Sequence, residues 1–142
     1  MYGMKAKFVL ALIVVGVLSM GCAKQEGGED VLTQLTGKVW VAEYILGKPV
    51  IDMTHSSIEF GEDGAVGGLG GCNSYHGSYT LEGNVVSFGP MAATMRACVE
   101  AISDQEMRFF QSLAQPQTVK FKDGLLLLIA EDGKISKFAV QD

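Results

Sequence analysis

The 142-residue sequence predicts a mainly β fold: a small antiparallel barrel or closed meander with one packed α-helix. Three observations predict it. Turn-forming strings recur at Asp63-Gly64, Glu82-Gly83-Asn84, Asp123-Gly124 and Asp132-Gly133, and they supply the positive φ that tight hairpins require. Between them lie short runs of β-branched and aromatic residues, some alternating polar with apolar. One segment alone, after Ser103, has helical periodicity. Eighteen Gly against three Pro agree with many turns and argue against a helical bundle. At this length the chain holds one domain.

The first element is a targeting signal, residues 1–21. Lys5 and Lys7 precede an uncharged apolar run, Phe8-Val9-Leu10-Ala11-Leu12-Ile13-Val14-Val15-Gly16-Val17-Leu18-Ser19-Met20, which ends at Gly21-Cys22. That run is shorter than the roughly 20 residues a membrane-spanning helix needs. Leu18-Ser19-Met20-Gly21-Cys22 resembles a bacterial lipobox, with Met20 the less common choice at its position. A diacylglyceryl group on Cys22 is therefore expected, against an unmodified Cys in a plain signal peptide. Acyl chains at about 0.8 kcal/mol per buried CH₂ would hold the mature chain to a membrane without spanning it. By resemblance to proteobacterial lipoproteins, Ala23 after that Cys favours the outer membrane. Residues 22–33 begin polar and Gly-containing, and read as the lipidated Cys and a flexible tether.

Residues 34–142 form the domain. Val39-Trp40-Val41-Ala42-Glu43-Tyr44-Ile45 opens it as a strand, and Ser57-Ile58-Glu59-Phe60 alternates as a half-buried strand should. Gly77-Ser78-Tyr79-Thr80-Leu81 pairs across the Glu82–Asn84 turn with Val85-Val86-Ser87-Phe88. Residues 119–121, 125–130 and 135–140 supply three more strands, the last two a hairpin about Asp132-Gly133. Leu125-Leu126-Leu127-Leu128-Ile129 is apolar at every position, so it is expected centrally with both faces covered. Ser103-Asp104-Gln105-Glu106 reads as a capping box, Ser hydroxyl to Glu amide and Glu side chain back. Met107, Phe110, Leu113 and Ala114 then share one face of a helix, Phe109 flanks it, and Pro116 stops it. Strands this short close a barrel that Trp40, Phe60, Tyr79, Phe88, Phe121 and Phe138 can fill themselves.

Charge and residue chemistry exclude several functions. The formal net charge is −5, and loss of Lys5 and Lys7 leaves 9 basic against 16 acidic residues, with no basic cluster. Nucleic acid is not an expected partner. Cys72 and Cys98 are the thiols left once Cys22 is lipidated. In an oxidising compartment two Cys in a small domain form a disulfide; the alternative is two buried reduced thiols. A zinc site is weaker, for no Cys-x-x-Cys or paired His spacing accompanies them. No metal or other cofactor is expected. Gly67-Gly68-Leu69-Gly70-Gly71 lacks the Lys-Ser/Thr of a phosphate loop and reads as bulges or bends. Asn73 and Tyr75 beside it are the candidate binding residues, with local backbone bonding the alternative for Asn73. His55 and His76 are isolated, and Glu59, Glu62, Asp63 and Glu82 read as solvated carboxylates. No nucleophile, base and orienter come together, so no catalytic residue is assigned and the chain is not expected to be an enzyme.

From Leu35 onward the chain resembles the META/HslJ-like domain family of bacterial envelope proteins. Leu35-Thr36-Gly37-Lys38-Val39-Trp40 is similar to its opening, and 60–64 with 67–75, containing Gly71-Cys72-Asn73-Ser74-Tyr75, to its centre. Thr94-Met95-Arg96-Ala97-Cys98 is similar to a further element. The resemblance implies a lipocalin-like topology, a link to heat shock and novobiocin tolerance, and no catalytic activity. The expected function is thus a non-enzymatic, membrane-anchored envelope lipoprotein supporting stress tolerance, with an envelope protein as its partner. The alternatives are a small-molecule binder using the barrel, and an inhibitor of an envelope hydrolase presenting residues 49–57 or 91–96.

Overall fold

The computed structural model describes residues 26–141; Cys22 and the predicted signal segment lie outside the described residues. The elements are α1 (Glu26–Leu35), β1 (Val39–Ile45), β2 (Lys48–Pro49), β3 (Ser57–Phe60), β4 (Ala65–Leu69), β5 (Ser74–Glu82), β6 (Val85–Phe88), β7 (Ala92–Ala93), α2 (Glu100–Leu113), β8 (Gln117–Lys122), β9 (Leu125–Ala130) and β10 (Ile135–Val140). Strands β1-β3-β4-β5-β6-β8-β9-β10 neighbour one another in that order. β10 pairs back to β1 through Trp40↔Val140, Val41↔Ala139 and Ala42↔Phe138, which closes an eight-stranded antiparallel barrel. Closure leaves few backbone donors unpaired at an edge. The short strands β2 and β7 fold onto β1 and β5. The thinnest seams are β3–β4 and β6–β8, with two residue pairs each, Glu59↔Gly67 and Phe60↔Val66 in the first and Val85↔Thr118 and Val86↔Gln117 in the second, against six between β8 and β9.

Alternation along the strands puts one side chain in two inside. Trp40, Ile58, Phe60, Tyr79, Val86, Val119, Leu126, Leu128 and Phe138 are buried in one cluster, with Phe88 and Phe121 half-buried against it. The rings interlock: Phe60 meets Tyr79 edge-on at 5.0 Å, and Trp40 lies 6.0 Å from Phe121. The expected aromatic filling is present. β9 differs from expectation on one face. Leu126, Leu128 and Ala130 are buried while Leu125, Leu127 and Ile129 are half-exposed, so its second face is only partly covered.

The two helices sit at opposite ends of the barrel. α1 occupies part of the segment expected to be a flexible tether, because Val31 and Leu32 pack on the core and Leu35 is fully buried. The Leu35 carbonyl accepts the Trp40 indole N–H at 2.9 Å, and Thr36 bridges Phe60. The packed part of the chain therefore begins before residue 34. α2 closes the other end. It starts at Glu100, ahead of the expected capping box; Val99 caps it without a side-chain bond. The Ser103 hydroxyl donates to the Cys98 carbonyl instead. Its buried face is Gln105, Phe109, Ser112 and Leu113, one step round from the predicted stripe, and Met107 is 67% exposed. The shift arises because the helix must also present Gln105 and Glu106 to backbone groups of the loops beneath it.

Candidate functional site

The residues singled out by the sequence converge where β3, β4 and β5 meet α2. Two glycines allow the approach. Gly68 has φ +148°, and a Cβ there would lie 2.3 Å from the Ser57 carbonyl oxygen. A Cβ on Gly70 would lie 2.8 Å from Oε2 of Glu106 and 2.9 Å from the Phe110 ring. The glycine run is thus a close contact between strand end and helix, with no room for a phosphate.

Past these glycines the chain turns, and its amides point at α2. Oε2 of Glu106 accepts the backbone N–H of Cys72 at 2.8 Å and of Asn73 at 2.6 Å, while Oε1 accepts the Asn73 side-chain amide at 2.7 Å. A carboxylate taking three donors is charge-assisted bonding of the stronger kind. Asn73 faces the other way as well: its Oδ1 accepts Arg96 N–H at 2.6 Å and the Thr94 hydroxyl at 3.0 Å. The Arg96 guanidinium donates to the Cys72 carbonyl at 2.7 Å. Cys72 and Cys98 are joined by a disulfide with Cα atoms 6.0 Å apart. Gln105 extends the network, accepting Ile51 N–H at 2.8 Å and donating to Ser56 Oγ at 3.1 Å. Ser56 and Thr54 in turn donate to the Gly70 and Gly71 carbonyls.

Both candidate binding residues are spent internally. Asn73 is buried with its amide oxygen and nitrogen both engaged in this network, which latches the Cys72 loop to α2 and residues 94–96. Tyr75 is buried against the Phe109 and Phe110 rings at 5.6 and 5.4 Å and donates to the Ser57 carbonyl at 2.8 Å. Burial pushes its phenol pKa well up. His55, His76, Glu59, Glu62, Asp63 and Glu82 are exposed and do not converge on this site. Sequence reasoning gave Glu106 a helix-capping role only, and Gln105, Arg96 and Thr94 a place in a motif but no part in a site. The available signal was an acid between apolar helix positions and opposite a glycine-rich loop whose amides need an acceptor.

Residues 33–142 match the META domain. The chain belongs to the META domain family. No curated protein matches it. Among solved structures it is similar to a Burkholderia xenovorans protein determined by NMR, 21% identical with TM-score 0.65, covering 79% of this chain and 87% of that one. A second NMR structure is 22% identical with TM-score 0.63, covering 77% and 93%. The crystal structure of a DUF4847 family protein from Bacteroides vulgatus ATCC 8482 is 17% identical with TM-score 0.59, covering 76% and 96%. At these identities the likeness is one of fold.

Two surfaces of this META domain border the latch. Residues 92–97 are exposed throughout, and Met95 is 97% exposed. Beside them an open apolar groove of about 340 Å³ is lined by Phe88, Met91, Ala93, Phe110, Leu113 and Ala114. Among the described residues no group of three or more His, Cys, Asp or Glu is placed to hold a metal.

Proposed function

We propose that this META-domain chain is a non-enzymatic lipoprotein, anchored through lipidated Cys22, that supports the envelope under heat or antibiotic stress. META domains occur in bacterial envelope proteins. The observation that carries the reading is the filled barrel. Trp40, Phe60, Tyr79, Leu126, Leu128 and Phe138 are packed through the interior among the described residues, which favours the outer surface over a lipocalin-type cavity as the place of function. Cys72, Asn73 and Tyr75 are committed to internal bonds, which favours a rigid scaffold over a catalytic cleft. The order Lys5/Lys7, apolar run, Gly21-Cys22 supports the anchor, and Ala23 after it, by resemblance to proteobacterial lipoproteins, favours the outer membrane.

A second reading, an inhibitor or binder of an envelope protein, is favoured by one feature. The exposed 92–97 segment beside an apolar groove has the form of a presented loop. Both readings are non-catalytic. Fractionation and intact mass of the wild type and Cys22→Ala test the anchor. The expected result is a membrane-bound, acylated wild type and an uncleaved or released variant. Unchanged mass and unchanged fractionation in the variant would overturn it.

A further inference from the structure

Residues 92–99 run as a strap across the α2 end of the barrel, and its attachments differ in kind. Residues 92–97 are all exposed, so the strap buries no apolar side chain of its own over that stretch. Its noncovalent ties are the β7 pairs Tyr75↔Ala93 and His76↔Ala92, the Thr94 N–H to the Ser74 carbonyl at 3.0 Å, the bonds of Thr94 and Arg96 to Asn73 and Cys72, and, at its α2 end, the Cys98 and Val99 carbonyls that accept from the Ser103 hydroxyl and from the Ile102 and Ser103 N–H groups. All are polar contacts, and on the strap's side those of residues 92–96 belong to an exposed segment, where water competes for the same groups. The remaining tie is covalent, the Cys72–Cys98 disulfide.

The elements on either side of the strap are held independently. α2 is anchored by Gln105, Glu106, Phe109 and Leu113, all after its first turn, and its start at Val99 has no side-chain cap. The Cys72 loop is held by Glu106, from the helix, whether or not the strap is in place. The disulfide is therefore the one covalent hold on the strap, while the barrel is closed by its own ladder.

We infer that the Cys72–Cys98 disulfide is a redox-controlled clasp, and that its reduction by a dithiol releases residues 92–97 as a unit from an otherwise intact barrel, with Cys98 and Val99 staying on α2. Cys98 is half-buried and Cys72 nearly fully buried, so the incoming thiolate attacks Sγ of Cys98. The S–S bond breaks, Cys72 leaves as a thiolate and takes up a proton, and a mixed disulfide joins Cys98 to the reductant. The reductant's second thiol attacks its own sulfur in that bond and frees Cys98 as a thiol. Two electrons and two protons pass from the dithiol to the cysteine pair, and the reductant leaves as a disulfide. Release of the strap removes Ala93 from the wall of the apolar groove and opens the Phe110–Leu113–Ala114 side of α2. The apolar surface at this end is thereby coupled to the thiol poise of the compartment.

Arg96 lies in the strap and makes a built-in trypsin reporter; Lys120 in β8 and Lys137 in β10 report on the barrel. Full-length protein in detergent, oxidised or reduced with dithiothreitol, is pulsed with trypsin and the fragments are timed by mass spectrometry. Cleavage after Arg96 should accelerate by about tenfold or more on reduction, with Lys120 and Lys137 still protected. The double variant Cys72→Ser, Cys98→Ser should cleave at Arg96 without reductant. If that variant does not fold, the reduced wild type carries the test. An unchanged Arg96 rate in reduced protein would overturn the clasp. So would cleavage at Lys120 and Lys137 in step with Arg96, which would make the disulfide a support of the whole domain.

Discussion

Removing the Glu106 carboxylate should weaken the domain well beyond the range of an ordinary surface substitution. Glu106→Ala leaves three donors without their acceptor: the N–H groups of Cys72 and Asn73 and the Asn73 side-chain amide. An unsatisfied buried donor costs about 1–3 kcal/mol. Glu106 is only half-buried, so water entering the vacated space recovers part of that, and about 1 kcal/mol per donor is appropriate. The expected loss is about 3 kcal/mol, or roughly 12 °C in Tm for a domain of this size. Glu106→Gln keeps one oxygen for the backbone amides but turns an –NH₂ toward the Asn73 amide. Flipping Asn73 to accommodate it would break its bonds to Arg96 and Thr94. That variant should lose about 1–2 kcal/mol. Urea unfolding followed by the fluorescence of the single Trp, the buried Trp40, measures both. A loss under about 0.5 kcal/mol for Glu106→Ala would refute the reasoning, since that is the range of ordinary surface substitutions.

Three further outcomes follow from the same geometry. Gly68→Ala, whose Cβ would meet the Ser57 carbonyl oxygen at 2.3 Å, should cost about 3 kcal/mol or more by the same urea assay; a neutral result would mean β3 and β4 shift apart freely. Phe109→Ala empties the fully buried centre of α2 and should cost about 3–5 kcal/mol, read as Tm by circular dichroism; a loss below about 1 kcal/mol would place Phe109 outside the core. Tyr75, raised by burial, and Tyr79, raised by burial and then by the Asp63 and Glu62 charges, hold their protons when folded to higher pH than when unfolded. Stability is therefore intact below the ordinary phenol value near 10 and falls as pH rises past it; the Tyr75 phenolate should appear only with unfolding, and that of Tyr79 above the ordinary phenol range. Reversible ionisation of both near pH 10 in folded protein, followed by absorbance, would contradict their burial.

The strands were legible because their signals are local. Ser57-Ile58-Glu59-Phe60 shows its two faces by alternation, and Asp132-Gly133 marks its hairpin by the positive φ at Gly133. Closure was legible from strand count and turn spacing. The helices were less so. In α1, Glu26-Gly27-Gly28 is poor helix-forming sequence, and it is the packing of Val31, Leu32 and Leu35 on the barrel that outweighs it. In α2, Ser103 and Glu106 have the spacing of a capping box, but Glu106 finds better partners in the loop 34 and 33 residues upstream in sequence. Such a bond has no local signature. For the same reason Asn73 and Tyr75 looked available: nothing adjacent to them announces Arg96, Thr94, Glu106 or Ser57 as partners. The Cys72–Cys98 pairing was legible from the number of thiols and the compartment expected of a secreted chain, whereas its place at the end of an exposed strap was not.

The central claim is that the chain acts without catalysis, through the outer surface of a filled barrel held at a membrane. Complementation of a deletion strain under heat and under novobiocin, with wild type, Cys22→Ala and the anchored double variant Glu59→Gln, Glu62→Gln, tests it most directly. The account predicts that wild type and the anchored double variant restore growth, and that folded Cys22→Ala does not. Full rescue by unanchored protein would contradict it. So would purified protein that turns over an envelope substrate and loses that turnover, still folded, on a single polar substitution.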